Sequence, residues 1–351
     1  MKSLPPTYVK GFHDESLIKK MKYNVLGSTN LHVSQLALGT GGFSYFFGHY
    51  DAEECKLVVE EALKSGVNYI DTGPWYGHGV AEEILGKCLQ AIPRKAFYIG
   101  TKVGRYEADP KLMFDFSAKK TRESVMTSLK RLGLDYIDVM QVHDVEFAPS
   151  LEIVLNETLP TLQEFVNEGK IGFIGVTGYP NSVLREVIER SPIKINTVLS
   201  YTRLTMIDQS LKEYLPFYKS KNLGIINASV HGMGLLTNGG PQSWHPASEK
   251  LKKICAEAAE FCKENNVELG KLALYFALQQ NGPSTILSGT NCTPLLRLNL
   301  EVVQNGLNEK EMKIYKEVSN RFFAGLEETN WEGVELKRFK ENTFSFENDS
   351  K

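Results

Sequence analysis

Three short apolar runs in the first half of the chain end on ionisable residues, Asp71, Lys102 and His143, and Tyr76 lies five residues beyond the first of them. An ionisable side chain buried at the end of a strand is unfavourable unless it is paired or has a chemical role. A lysine ammonium beside a phenol favours the phenolate and lowers the pKa of the phenol from its usual value of about 10. A carboxylate would keep that lysine charged, and an imidazole can hydrogen-bond a carbonyl oxygen. The set predicts proton transfer at an alcohol or carbonyl oxygen, with Tyr76 as general acid or base.

These residues include no hydride donor, so a redox reaction would need a nicotinamide cofactor. Taken singly, Asp71 also fits a turn and Tyr76 a packed loop. Lys102 also fits a sheet edge, and His143 a packed core. Their occurrence at successive strand ends favours the joint interpretation. A barrel aldolase that uses Lys102 as a Schiff base is a further alternative, one that needs no nicotinamide.

The elements around these residues predict where they lie. The apolar run Val67–Ile70 ends on Asp71, a Gly/Pro-rich loop carries Tyr76, and residues 80–91 have apolar side chains at helical spacing. Similar helices alternate with apolar runs along the chain, which predicts right-handed crossovers and a parallel sheet. The predicted strands are the runs 36–39, 67–71, 97–103, 137–143, 171–177, 197–201, 224–229 and 284–289.

Eight such repeats predict a single (β/α)8 barrel, in which the carboxyl ends of the strands bring Asp71, Lys102 and His143 to one face. Residues 22–34 predict a β-hairpin before the barrel. An open doubly wound sheet is the alternative, but the Gly-rich residues 39–42 are not followed by the rest of the dinucleotide fingerprint. The predicted organisation is an irregular leader over residues 1–20 and one barrel unit over residues 21–351, including a C-terminal tail.

Composition limits the class of protein. The chain has 351 residues, 42% of them apolar, and a net charge of -2, which with the lack of Lys/Arg blocks argues against nucleic-acid binding. No apolar stretch resembles a signal peptide or a membrane span. The five cysteines are scattered without a CxxC pair, which favours reduced thiols over disulfides or a metal site. We expect a cytoplasmic protein with no metal, membrane or nucleic-acid partner, and its oligomeric state stays open.

The order Asp71, Tyr76, Lys102, His143 resembles the catalytic tetrad of the aldo-keto reductases. The likeness extends over about residues 23–299. The segments that carry it are Tyr69–Thr72, Ala81–Lys87, Ser128–Asp138 and Gly169–Val176. Within the family, the chain is most similar to the branch of L-galactose dehydrogenases and D-threo-aldose dehydrogenases. The segments that carry this closer likeness are Gln141–Phe147, Gly175–Tyr179, Asn227–Ser229, Met233–Thr237 and Trp244–Ser248.

The resemblance implies a barrel that binds NAD(P)H extended, with the nicotinamide over the barrel mouth. Relatives contact the carboxamide where this chain has Thr177 and Ser200, and the pyrophosphate where it has Ser229. The region that holds the adenosine phosphate and adenine corresponds to Ser288, Gly289, Thr290 and Asn299. The basic residue that many NADPH-preferring relatives carry after the eighth strand is absent from residues 288–292, which favours NAD. Arg297 is near enough to reach a 2′-phosphate, so NADP remains an alternative.

Large ring side chains on loops suit the faces of a sugar or a flat carbonyl compound. We nominate Trp75, His231 and Trp244 as substrate-binding residues, for which loop packing is the alternative. The tail after Asn320 is expected to close over the barrel mouth, with a surface wrap as the alternative. Its aromatic residues are Phe322, Phe323, Trp331 and Phe344.

The functional prediction is an NAD(P)-dependent oxidoreductase that interconverts a carbonyl and an alcohol, with Tyr76 as the proton donor in reduction. The expected substrate is an aldose of the L-galactose type or another small carbonyl compound. The alternative is a regulatory or binding subunit on the same scaffold, with little turnover.

Overall fold

The computed structural model of the protein describes residues 4–343. Its strands are β1 Tyr23–Val25, β2 His32–Ser34, β3 Leu36–Gly39, β4 Tyr69–Asp71, β5 Tyr98–Val103, β6 Ile137–Val142, β7 Ile171–Gly178, β8 Thr197–Tyr201, β9 Gly224–Ala228 and β10 Thr285–Gly289. Its helices are α1 Glu15–Ile18, α2 Ala52–Lys64, α3 Val80–Leu89, α4 Pro110–Met113, α5 Ala118–Leu132, α6 Leu151–Ile153, α7 Leu159–Asn167, α8 Asn181–Arg190, α9 Leu211–Ser220, α10 Glu249–Glu264, α11 Leu269–Leu278, α12 Thr293–Asn305, α13 Glu309–Val318 and α14 Val334–Lys340. Within the described range, none of these helices has both the length and the apolarity needed to cross a bilayer.

Strands β3 to β10 form a closed parallel barrel in the order β10-β3-β4-β5-β6-β7-β8-β9, and β1 and β2 form an antiparallel hairpin. This architecture confirms the predicted barrel and hairpin. Strand β10 closes the ring, since its Gly289 lies opposite Gly39 of β3. Gly39 in turn lies opposite Asp71 of β4. Because the barrel strands are parallel, their carboxyl ends meet at one face, which we call the mouth.

Apolar packing between the strands and the surrounding helices stabilises the barrel. Strand β6 is buried along its whole length, as expected of a parallel strand covered on both faces. The amphipathic helix α5 places Val125 and Leu132 in the same core. The side chains of Asp51 and Ser117 cap the N-termini of α2 and α5. Such caps contribute roughly 1 kcal/mol each.

The leader is less irregular than the sequence predicts. It contains the short helix α1, and the backbone N–H of its N-cap Asp14 donates to the carbonyl of Lys64 at 3.0 Å. The buried side chain of Asn68 donates to the hydroxyl of Thr7 at 2.9 Å. The segment therefore packs against the amino-terminal end of the barrel. A helix of four residues is too short to show a periodic apolar pattern in the sequence.

The C-terminal tail lies over the mouth, as predicted. The backbone N–H of Trp331 donates to the hydroxyl of Tyr179 at 3.0 Å. The ring of Phe339 on α14 packs edge-on against Phe114 and Phe147, at centroid distances of 5.1 and 5.5 Å. These partners follow β7, β5 and β6, so the tail bridges loops from three barrel strands.

The other aromatic residues of the tail do not all reach the mouth. The ring centroid of Phe322 lies 5.8 Å from that of Phe261 on α10. Phe323 packs in the apolar cluster that α10 forms with α13. These two residues hold the tail against the flank of the barrel. Phe344 lies outside the described residues.

Candidate active site

The floor of the mouth holds a buried ion pair. The ammonium of Lys102 on β5 contacts the carboxylate of Asp71 and donates to the carbonyl of Thr72 at 2.6 Å. The side chains of Lys102 and Asp71 are both 1% exposed. The side-chain amide of Gln141 donates to the second oxygen of Asp71 at 2.7 Å. Because a buried pair is stable only when its remaining hydrogen-bonding groups are satisfied, these contacts hold the lysine charged in one position.

Tyr76 lies on the loop between β4 and α3, with Nζ of Lys102 4.8 Å from its ring centroid. Burial raises the pKa of Tyr76, and the ammonium of Lys102 lowers it only in part, so the phenol keeps a pKa above its usual value. This corrects the expectation of a lowered pKa, since desolvation outweighs the lysine. For Lys102, burial lowers the pKa, but the charge of Asp71 and the interaction with Tyr76 raise it more. A neutral phenol beside a permanent ammonium is suited to donating a proton.

His143 directly follows β6, and its ring centroid lies 6.0 Å from that of Tyr76. Burial lowers the pKa of His143 to about 3, although the nearby carboxylate of Asp144 opposes this effect. The Nε2 atom lies 3.6 Å from that carboxylate. The imidazole is therefore neutral at physiological pH and has one N–H to donate.

We expect His143 to make the folded state less stable as the pH falls from about 6.5, the usual histidine pKa. The unfolded chain takes up a proton on this residue near that pH, whereas the folded protein keeps the ring neutral down to a pKa of about 3. Between these two pKa values the unfolded state binds more protons than the folded state. The free energy of unfolding therefore reaches its full value only at a pH above the usual histidine pKa. Urea unfolding of the wild type and His143→Gln at pH 7, 6 and 5 measures the effect. The free energy of unfolding of the variant should fall less steeply as the pH decreases. Parallel declines for the two proteins would contradict a neutral, buried His143.

A cavity of about 570 Å³ lies above these residues and extends along the mouth. Its size is typical of small-molecule and cofactor sites. Most of the predicted site residues line it, namely Asp71, Trp75, Tyr76, Lys102, His143, Thr177, Ser229, His231, Trp244, Gly289, Thr290 and Asn299.

Two predicted cofactor contacts, Ser200 and Ser288, are not brought to this cavity. Both side chains are buried. The hydroxyl of Ser288 accepts a 3.2 Å hydrogen bond from Asn299, so it orients a lining residue from behind. Thr177 does line the cavity, and its hydroxyl accepts the backbone N–H of Asp144 at 3.2 Å.

One end of the cavity reaches α12, where two carboxylates of α2 bind the N-terminus of this helix and the side chain of Arg297. Glu54 accepts hydrogen bonds from the backbone N–H and the hydroxyl of Thr293, at 2.7 and 2.8 Å. Arg297 forms a two-point ion pair with Glu61, at 2.8 and 2.9 Å. Arg297, which the sequence places near a 2′-phosphate, is thus engaged elsewhere and does not line the cavity.

The three predicted substrate-binding residues line the cavity and also pack within the loops around it. Trp75 stacks on Phe46 with the ring centroids 4.8 Å apart. The guanidinium of Arg105 lies 4.1 Å from the ring centroid of Trp75. Nε2 of His231 lies 3.1 Å from the carbonyl oxygen of Gly270. The backbone carbonyl of Trp244 accepts a 3.3 Å hydrogen bond from the α14 residue Arg338.

Sequence reasoning missed several residues of the site. Gln141 lies on β6, two positions before His143, so continuing the strand period of two could have placed both side chains on one face. Arg105 and Asp144 form an ion pair of 2.7 Å at the mouth, and Glu335 lines the cavity from α14. No local pattern indicates these contacts, because they join loops that are distant in the chain.

These observations describe a (β/α)8 barrel with proton-transfer groups gathered at the carboxyl ends of its strands. The chain belongs to the aldo/keto reductase family, whose sequence model matches residues 35–320. The family predicted from the motifs is therefore confirmed.

The relatives include several sugar dehydrogenases. L-galactose dehydrogenase of Arabidopsis thaliana is 39% identical over 287 residues, which cover 81% of this chain and 88% of that protein. D-arabinose 1-dehydrogenase of Saccharomyces cerevisiae is 30% identical over 285 residues, covering 76% and 83%. D-threo-aldose 1-dehydrogenase of a Pseudomonas species is 27% identical over 300 residues, covering 78% and 90%. A holo-form structure of an aldo-keto reductase from Bacillus halodurans has a TM-score of 0.67 and 25% identity, covering 85% and 96%.

Proposed function

We propose that the protein is an NAD(P)-dependent oxidoreductase that interconverts a carbonyl and an alcohol, with an aldose or a related small carbonyl compound as substrate. The observation that carries this proposal is the buried pair of Lys102 and Asp71 set against Tyr76 on the floor of the cavity. An ion pair with only a structural role would not need a phenol and an open cavity beside it.

A nicotinamide cofactor fits the cavity in size and in lining. A side chain added at Gly289 would meet nothing within 4 Å, so open space adjoins the backbone where an extended cofactor would pass. Thr177, Ser229, Thr290 and Asn299 supply polar groups along the lining, and we propose that they hold the cofactor. When bound, the nicotinamide supplies or accepts the hydride.

The side chains of the floor then handle the proton. In reduction, Tyr76 donates its proton to the carbonyl oxygen, and in oxidation the phenolate accepts the proton of the alcohol. Lys102 stabilises the phenolate, while Asp71 and Gln141 hold the ammonium in place. Neutral His143 donates a hydrogen bond to the substrate oxygen and orients it towards Tyr76.

An aldose substrate is supported by the dehydrogenases of L-galactose and D-arabinose among the relatives. The test is fluorescence titration with NADH and NADPH, followed by oxidation assays on L-galactose, L-fucose and D-arabinose and reduction of an aromatic aldehyde. Sugar oxidation with NAD supports the sugar dehydrogenase assignment. Aldehyde reduction alone would indicate a carbonyl reductase. Cofactor binding with negligible turnover would favour the binding-subunit alternative.

We further propose that the protein prefers NAD to NADP, because Glu54 already occupies the N-terminus of α12 and Glu61 neutralises Arg297. A 2′-phosphate near this helix end would meet two carboxylates. The double variant Glu54→Gln/Glu61→Gln should tighten NADPH binding about 5- to 10-fold, since helix-terminus and surface-pair effects are each up to about 1 kcal/mol. The dissociation constant of NADH should stay unchanged.

Fluorescence titration of both cofactors measures this preference without any turnover. Glu53→Gln is the matched control, because Glu53 is an exposed residue of the same helix. Equal affinities of the double variant and the wild type for NADPH would refute the role of these carboxylates.

A further inference from the structure

We infer that Glu335, on the C-terminal helix α14, determines substrate specificity by accepting a hydrogen bond from a hydroxyl of a neutral substrate and by disfavouring anionic ones. The inference rests on the proposed function, because it assigns the substrate class of the same cavity.

Glu335 is placed where a substrate would be contacted. It lines the cavity together with His143 and Trp75. The hydroxyl of Tyr201, at the end of β8, donates to Oε2 of Glu335 at 3.1 Å. A carboxylate has about four acceptor positions, so this contact orients the group and leaves acceptor capacity for a ligand.

The segment that carries Glu335 is held by contacts on both sides of this residue. Before it, Glu332 forms an ion pair of 2.6 Å with the buried Arg203. After it, Arg338 donates to the carbonyl of Trp244, and the ring of Phe339 packs on Phe147. A side chain supported in this way can discriminate between ligands, because its position is defined before a ligand arrives.

Within residues 4–343, the cationic side chains that line the cavity around Glu335 are already paired with carboxylates. Of the cationic side chains that line the cavity, Lys102 is paired with Asp71 and Arg105 is paired with Asp144 at 2.7 Å. Burial raises the pKa of Glu335, Arg105 lowers it, and Asp144 raises it. The ionised carboxylate repels an anion, and the protonated form gives it no positive partner. A neutral polyhydroxylated substrate avoids both penalties.

The test compares a neutral and an anionic aldehyde of similar shape, methyl 4-formylbenzoate and 4-carboxybenzaldehyde, in reduction with NADH. For the wild type, kcat/KM should be about 10-fold or more higher with the ester than with the carboxylate, as expected for like charges or unpaired groups in a binding site. Glu335→Gln should narrow this ratio by raising the kcat/KM for the carboxylate. For L-galactose, which offers hydroxyl donors, the same variant should raise KM about 10-fold, typical of losing a hydrogen bond to a charged group.

Glu341→Gln is the matched control, because Glu341 is an exposed residue just after α14 that does not line the cavity. Its ester-to-carboxylate ratio should equal that of the wild type. An unchanged ratio in Glu335→Gln, or an equal change in Glu341→Gln, would overturn the inference.

Failure of the proposed function would be recognised separately, as absence of turnover with the ester in the wild type. In that case calorimetry of 4-(hydroxymethyl)benzoate and its methyl ester, bound to the wild type and to Glu335→Gln, makes the same comparison. Tighter binding of the ester than of the carboxylate in the wild type, lost in the variant, supports the inference. An equal ratio of the two dissociation constants in both proteins rejects it.

Discussion

Tyr76→Phe is expected to lower carbonyl turnover by about 10²- to 10⁴-fold, the usual contribution of a positioned general acid. The variant loses one oxygen and keeps the ring beside Lys102, whose ammonium retains its contacts with Asp71 and Thr72. Folding should therefore be unaffected, and the dissociation constant of NADH should stay near that of the wild type. Steady-state reduction of an aromatic aldehyde and a fluorescence titration measure the two quantities.

Tyr69→Phe is the matched control for this loss of a hydroxyl. Tyr69 lies on β4, two positions before Asp71, and is fully buried. Its hydroxyl has no hydrogen-bond partner among the described residues, and it does not line the cavity. This variant should keep its turnover. Retained turnover in Tyr76→Phe, or loss of cofactor binding there, would show that another group transfers the proton.

Lys102→Met is expected to reduce activity to a similar degree and also to destabilise the fold. Removing the ammonium leaves the carboxylate of Asp71 buried with the amide of Gln141 as its remaining side-chain partner. Breaking a buried pair in this way costs about 3–5 kcal/mol. The pKa of Tyr76 should rise further, because Lys102 is the group that lowers it. Alcohol oxidation, which needs the phenolate, should then require a higher pH.

The double variant Asp71→Asn/Lys102→Met separates these two effects. It removes both charges, so much of the lost free energy of unfolding should return. Activity should not return, because Tyr76 still lacks its ammonium. Urea unfolding and the pH profile of alcohol oxidation provide the measurements. Full activity of Lys102→Met, or recovery of activity with stability, would exclude a role for the lysine in activating Tyr76.

The fold could be predicted because each barrel repeat carries its own local signals. Strand β6 is buried throughout and four of its six residues are apolar, and the side chain of Ser117 caps the start of α5. The candidate catalytic residues could be predicted from the sequence for a related reason. Parallel strands bring their carboxyl ends together, so Asp71 and Lys102 become neighbours from topology alone.

Other features of the site depend on contacts that no local pattern encodes. Glu335 and its partner Tyr201 are separated by 134 positions in the chain, and the amphipathic spacing of a short tail helix does not indicate what it covers. The pKa of Tyr76 has a comparable origin. Its direction depends on the balance between desolvation and one ammonium, and the degree of burial is known only from the structure.

The pairing of β10 with β3 has a consequence for how the chain reaches this structure. Ile286 of β10 lies opposite Leu36 of β3, and beside this pair the hydroxyl of Thr285 donates to the carbonyl of Ser34 at 2.8 Å, a contact that spans 251 positions. During synthesis, the ring has two unpaired strand edges, on β3 and β9, until β10 leaves the ribosome. Such edges are templates for aggregation, and contacts this distant in sequence form slowly. Folding of this protein is therefore most exposed to chaperone capture just before its last barrel strand arrives.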